Sequence, residues 1–432
     1  MQRPNILFIT SHDTGDWLRC YGHHTVHTPH LDALAADGYL FSNAFCTSPV
    51  CTPSRGAMMT GRYPQSNGLM GLIQTPYRWR YHEGERHLSH LLSGYGYHTV
   101  LFNHQHEAPH TDPLGFREQR LVDSGTYRLL TGEHVSTAEE TATSVVEFLQ
   151  QRNEGDAPFY AQMGVFETHT PFGFSGAEPD DEFGVEILPY VVDDENVRRH
   201  ISGLQGAIRH LDRAVGRIFS ALSQTGLADN TIVVFTSDHG VELPRCKWEL
   251  YDGGIRTALL MRWPEGSVRG GRVCDWQISN VDLVPTLLDF AHLPIPQNVQ
   301  GRSFASFFAG EHDTPPRDAT FAMMHASNRW TESRSIRTGQ YKLIRNFSPS
   351  RLPRVPSQRG RSSAQERPVL ELYDLAADPH ELHSVSRTPQ YDTVRRDLDT
   401  RLLSWLQEVD DPILHGPVAT PYYRMAIADL QR

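Results

Sequence analysis

The sequence predicts an α/β protein, a sheet covered by helices on both faces, and two observations carry that expectation. Short apolar runs at residues 6–9, 99–102, 159–165, 231–236 and 258–262 recur between helical patterns. Each run is continuously apolar rather than alternating, as in a strand buried on both faces. The clearest helix follows Asp193-Asp194, whose carboxylates suit a helix N-terminus. From there Val197, Ile201, Leu204, Ile208, Leu211, Val215, Phe219 and Leu222 step by three and four. That is a core-facing stripe with a polar back, and its role is structural.

Taken in order, the chain enters its first apolar strand within a few residues of Met1. No charged and apolar leader precedes it and no apolar run reaches membrane length, so the expectation is a cytoplasmic protein without a membrane partner. At 432 residues the chain exceeds one ordinary core, which predicts two domains, or one large domain and a satellite. Composition is 39% apolar and 21% charged, which excludes a disordered chain. The net charge of −11, with no Lys/Arg run to offset it, argues against a nucleic-acid binder. The cysteines at 20, 46, 51, 246 and 274 are odd in number and scattered, so no disulfide framework is expected.

Past Thr314 the texture changes. Proline, serine and arginine accumulate up to Arg367, most densely at 348–363, and a long loop is expected over 345–368. Two readings stay open: a solvated excursion, or an arginine-bearing lip that meets an anionic substrate. A closing helix is expected over about 392–409.

Polar clusters stand where an open α/β sheet puts its site, beyond the C-terminal ends of strands. Ser11-His12-Asp13 follows the first run, and Ser237-Asp238-His239-Gly240 follows the run at 231–236. Carboxylates there can ligate a hard divalent cation, although a lone Asp after a strand is as readily a helix cap. The third cluster is Cys51-Thr52-Pro53-Ser54-Arg55, with Thr60-Gly61-Arg62 behind it. Alone it would be a turn entering a helix with a small buried hydrophobe at its head.

Taken together, these residues resemble the type I, formylglycine-dependent sulfatases. The resemblance implies an alkaline-phosphatase-like fold: a large mixed, mostly parallel sheet sandwiched by helices, with a small C-terminal antiparallel-sheet subdomain. The catalytic part would span 1–310, and the subdomain, with its loop and closing helix, 311–432. It implies that a formylglycine-generating maturation enzyme oxidises Cys51 to Cα-formylglycine, whose hydrate attacks the sulfate ester. It also implies one divalent metal ion at Asp13, Cys51, Asp238 and His239, with His12 a further candidate. Ca²⁺ is the first expectation, with Mg²⁺, Mn²⁺ and Zn²⁺ admitted. His12 stands where the family carries an aspartate, a departure that lowers the charge on the ion and weakens the preference for Ca²⁺.

The remaining roles follow the same resemblance. Residues 97–106 match a stretch in which His106 falls on the histidine that contacts the formylglycine hydroxyl. His104 takes the place of a sulfate-binding lysine. Phe166-Glu167-Thr168-His169-Thr170-Pro171 puts His169 toward the substrate, and residues 246–256 put Lys247 on the sulfate. A sulfuryl group in transfer spreads charge over its oxygens, which fixed cations stabilise. Arg55 and the metal would favour the attacking alkoxide, Lys247 and His104 would hold sulfuryl oxygens, His169 would protonate the leaving group, and His106 would take the second hydroxyl proton. The substrate implied is a small or oligomeric sulfated carbohydrate carrying an O- or N-sulfate. Residues 28–35, 67–72, 188–190 and 405–412 are most similar to the heparan N-sulfatase branch, which would make N-sulfoglucosamine a substrate. A phosphonate monoester or phosphodiester hydrolase on the same scaffold stays open, favoured by Asp238-His239. So does a non-catalytic sulfated-glycan binder that has lost metal through His12. Oligomeric state is left open.

Overall fold

Alternation along the central strands divides the apolar residues between two cores. In β1 (Asn5–Ser11) Leu7 and Ile9 join one cluster while Ile6 and Phe8 join another. The period of two places successive side chains on opposite faces, so a wholly apolar run must be covered twice. The computed structural model describes residues 3–74, 76–120, 127–128, 134–308, 314–326, 331–350 and 366–431.

The large sheet adds β2 (Tyr39–Phe41), β3 (His98–Asn103), β4 (Glu118–Arg120), β5 (Phe159–Gly164), β6 (Thr231–Ser237), β7 (Leu259–Arg262) and β8 (Arg272–Cys274). In space the order is β8-β2-β7-β6-β1-β5-β3-β4. β6, β1, β5, β3 and β4 run parallel, whereas β7 is antiparallel to both β6 and β2. The sheet is therefore mixed and mostly parallel, as expected, and all five anticipated apolar runs lie in it.

On one face pack α1 (Pro29–Asp37), α3 (Ala138–Gln150) and α4 (Glu195–Gln224); on the other lie α2 (Cys51–Thr60) and α5 (Leu283–Phe290). α4 is the anticipated long helix. Asp194 caps it, accepting from the Val197 N–H at 3.0 Å, and of its stripe Ile201, Leu204, Ile208, Leu211, Val215 and Leu222 are buried, with Phe219 partly so. Among the described residues no helix is long and apolar enough to cross a membrane. All five cysteines are free thiols.

A second, antiparallel sheet follows: β9 (Ala319–Ala326), β10 (Thr331–Thr338), β11 (Tyr341–Asn346) and β12 (Leu370–Asp374), in that spatial order. Met323, Ile336, Leu343 and Leu372 pack toward α6 (Asp392–Glu408), the closing helix, through Leu398, Leu402 and Trp405. Ala322, Met324, Ile344 and Tyr373 face the other way, onto Phe45, Cys46 and Val50, directly before Cys51. Three of this sheet's strands lie in the stretch after Thr314 where the texture changes, ahead of the loop anticipated over 345–368. Residues 351–365, the heart of the anticipated loop and of the arginine-bearing lip, lie outside the described residues.

Arg334 ties this sheet to the chain beyond α6. Its guanidinium meets Asp411 twice, Nε to Oδ2 at 2.5 Å and Nη2 to Oδ1 at 2.9 Å, with both side chains fully buried. Breaking such a pair strands a buried charge. Arg334→Met is expected to lower stability by about 3–5 kcal/mol, read as an earlier urea unfolding midpoint of the purified chain.

Candidate active site

Four parallel strands end along one edge of the large sheet, and the chain leaving each brings polar groups there. β1 runs into His12-Asp13, β6 into Asp238-His239, β3 into His104 and His106, and β5 into the turn that carries His169. α2 opens on Cys51, and all ten of its residues are buried. Asp13, Asn103 and His106 hold positive φ angles of 53°, 62° and 65° without being glycines. Such backbone strain gathers where side chains must be aimed at a site.

One donor atom each from His12, Asp13, Cys51, Asp238 and His239 lies within 4.8 Å of the others, and all five residues are buried. His239 donates Nδ1–H to the Gly240 carbonyl at 2.9 Å. Nε2 is therefore the nitrogen turned into the cluster, 3.1 Å from Asp13 Oδ1 and 3.4 Å from Cys51 Sγ. Asp238 Oδ1 accepts from the Asp13 N–H at 2.9 Å, which locks the two acids together. Arg55 Nε donates to Asp238 Oδ2 at 2.9 Å, and Lys247 Nζ to Asp13 Oδ2 at 2.6 Å.

These contacts set the charges. Burial works against ionising Asp13, yet the Lys247 ammonium outweighs it and holds the acid well below the usual carboxylate range. For Asp238 the direction is the same, with the Arg55 guanidinium the fixed cation that opposes burial. Two carboxylates stay ionised side by side, which is what a divalent cation requires. Burial pushes His12 down to about 4 despite Asp238 and Asp13, so its ring is neutral. An ionised carboxylate can only accept, so His12 Nδ1, 2.8 Å from Asp13 Oδ1, carries the hydrogen, and the lone pair falls on Nε2. Burial also pushes the Cys51 thiol well above its ordinary value, so the encoded side chain is no thiolate nucleophile.

Lys247 is not a solvated loop lysine. It is buried, with its ammonium between Asp13 and His169 Nε2, the latter at 3.2 Å. His169 Nδ1 donates to the Thr170 carbonyl at 2.6 Å, so Nε2 accepts from Lys247 and must gain a proton before it can act as an acid. Burial, reinforced by neighbouring charge, holds His104 and His106 well below the ordinary imidazole range. His104 therefore sits where the resemblance puts a lysine, but without the positive charge.

All ten residues singled out from the sequence meet here. Sequence reasoning missed Glu242, which accepts from the Thr170 hydroxyl at 2.7 Å and stands 4.0 Å from Lys247 Nζ. It also missed Asn280, whose Nδ2 donates to the Ser54 carbonyl at 3.1 Å and steadies the turn after Cys51. Neither carries a local motif that would have exposed it.

With that geometry in place, the comparisons with known proteins decide the family. The sulfatase family model matches residues 4–293. The chain belongs to the sulfatase family. A second model, N-sulphoglucosamine sulphohydrolase, C-terminal, matches residues 246–352 of this sulfatase. The sulfatase is similar to an ulvan-active sulfatase of Formosa agariphila, 27% identical over 97% of this chain and 83% of that protein. It is also similar to the N-sulphoglucosamine sulphohydrolase of Homo sapiens, 27% identical over 96% of this chain and 92% of that one. In fold it resembles BT4656, solved with its substrate D-glucosamine-2-N,6-O-disulfate: TM-score 0.76, 19% identity, covering 95% of this chain and 99% of that one. The alkaline-phosphatase-like fold expected from the sequence is the fold of these sulfatases, and the enzyme is a sulfuric ester hydrolase or sulfamidase.

Proposed function

We propose that this sulfatase removes sulfate from a sulfated sugar, acting on an O-sulfate or on the N-sulfate of glucosamine. The reading rests on one observation: Cys51 opens a buried helix against two ionised aspartates, with His239 Nε2 beside its sulfur. The substrate class is supported by the ulvan-active and N-sulphoglucosamine relatives and by the sugar bound to BT4656.

The residues fit both groups that the family implies. Asp13, Asp238 and His239 would hold a divalent ion, with the atom at the tip of residue 51 completing the set. Carboxylates with one imidazole admit Ca²⁺ but suit Mn²⁺ or Zn²⁺ as well. Converted to formylglycine by a maturation enzyme, residue 51 would supply a hydrated aldehyde whose hydroxyl is the nucleophile. The chain's own groups then have clear tasks. Arg55 fixes Asp238, and His12 fixes Asp13 through its Nδ1–H. Lys247 presents an ammonium at the mouth, where charge develops on sulfuryl oxygens. His169, linked to Lys247, is the group through which a proton can reach the leaving oxygen or nitrogen. His106 stands as a buried neutral base.

The test is a panel of 4-nitrophenyl sulfate, N-sulfoglucosamine, and phosphate mono- and diesters. It uses protein whose intact mass is lower by roughly 18 Da, the change from thiol to aldehyde. Desulfation of the sugar should dominate; a phosphodiester preference by orders of magnitude would overturn the reading. In the same assay Lys247→Ala should lower kcat/KM by about 10²–10³-fold, the scale of one transition-state cation or donor. Metal analysis of K247A checks that Asp13 still binds its ion.

A further inference from the structure

Three imidazoles converge beside the carboxylate cluster: the Nε2 of His12 and the ring of His104 have no task in the reaction above, and His106 would give up its role as base to serve as a ligand. His12, His104 and His106 are all buried, and one ring nitrogen of each lies within 4.8 Å of the other two. Their ring centroids stand 5.5 Å (His12–His104), 6.0 Å (His12–His106) and 5.2 Å (His104–His106) apart. Three histidines on one tetrahedral ion, with metal–nitrogen bonds of about 2.0–2.1 Å, put their centroids about 5 Å apart. The rings are thus already close to the spacing that ligation requires.

A second observation points to a ligand. His104 Nε2 and His106 Nδ1 are closed to solvent and have no hydrogen-bond partner among the described residues. A buried polar nitrogen left unpaired is destabilising, and native interiors rarely tolerate two in adjacent rings. The third ring supplies its part by elimination. Its Nδ1 carries the hydrogen toward Asp13, so Nε2 keeps a lone pair that no carboxylate uses.

We infer that His12, His104 and His106 form a second metal site, for a zinc-class divalent ion, adjoining the Asp13–Asp238–His239 site. Three neutral imidazoles with no carboxylate among them suit Zn²⁺ or Co²⁺ and disfavour Ca²⁺ and Mg²⁺. Three protein ligands leave a fourth position open, as in catalytic rather than structural zinc sites, and a tetrahedral oxyanion is the ligand class that position would take. An ion there would restore the positive charge missing where His104 replaces a lysine. This role for the ion rests on the sulfatase reading of the cavity; the site itself rests only on the three rings.

The experiment is metal stoichiometry of the full chain. Protein is equilibrated with Zn²⁺ alone, desalted and analysed by mass spectrometry of the metal, for wild type, Asp238→Asn, and the double variant His104→Gln/His106→Gln. The expected result is about two equivalents in the wild type and about one in each variant. One equivalent in the wild type, kept by the double variant and lost in D238N, would overturn the three-histidine site and leave the carboxylate site standing. One equivalent with the opposite pattern supports the three-histidine site and overturns the carboxylate reading. No bound metal in any protein overturns both. Should the double variant not fold, the wild type still decides. Titrated with Co²⁺, it should develop the intense visible bands of four-coordinate, nitrogen-ligated cobalt at the second equivalent, and saturation at one equivalent without them overturns the inference.

Discussion

Cys51→Ala is expected to fold like the parent and to lose sulfate-ester turnover by on the order of 10⁴-fold or more, the scale seen when an enzyme loses its nucleophile. The fold should survive because the cysteine sulfur makes only weak polar contacts. Its neighbours are His239 Nε2 at 3.4 Å and His12 Nδ1 at 4.0 Å, and the latter already donates to Asp13. α2 is held by Met58, Met59 and Ala57 in the surrounding cores, and alanine favours a helix. Unconverted wild-type protein should be nearly as inactive, because burial keeps the thiol protonated. Parallel melting curves and 4-nitrophenyl sulfate rates for C51A, unconverted and converted chains check all three statements. A C51A protein with substantial turnover would remove residue 51 from the chemistry.

Asp238→Asn should damage both the site and the fold. Asp238 accepts from Arg55 Nε, from the Asp13 N–H and from the His239 N–H, the last two at 2.9 Å. Asparagine keeps an acceptor for the two backbone donors but removes the charge opposite Arg55, which is almost wholly buried. Leaving that guanidinium uncompensated costs about 3–5 kcal/mol. Removing one of two ionised carboxylates should also release the ion held there, with loss of activity approaching that of C51A. Metal content and urea midpoint measured on one preparation separate the two effects. Retention of that ion with an unchanged midpoint would show that Asp238 matters to neither.

The contrast between what the sequence disclosed and what it hid is physical. Residues 6–9 and 231–236 disclosed their strands because burial on both faces forces unbroken apolar runs. Asp13 and Asp238 were legible because each directly follows such a run. The strands over 319–346 were obscured by residues that read as solvated. Arg334, Arg337 and Lys342 are buried there, against Asp411, Asp252 and Glu381, and such pairing is invisible until distant segments meet. The same holds for Lys247. Its position was found by resemblance, but its contact with Asp13, 234 residues away, arises only when the β1 and β6 ends lie side by side. Proton positions on His12, His169 and His239 depend on which carbonyl or carboxylate each ring faces, information that no spacing rule contains.

The wall behind Cys51 has a consequence for the order of events in the cell. Phe45, Cys46 and Val50 are pressed against the four-stranded sheet, and residue 51 itself keeps only 4% of its surface in contact with water. No second macromolecule can seat its own catalytic groups on a sulfur so enclosed. Any enzyme that alters this side chain must meet it before the C-terminal strands close over it.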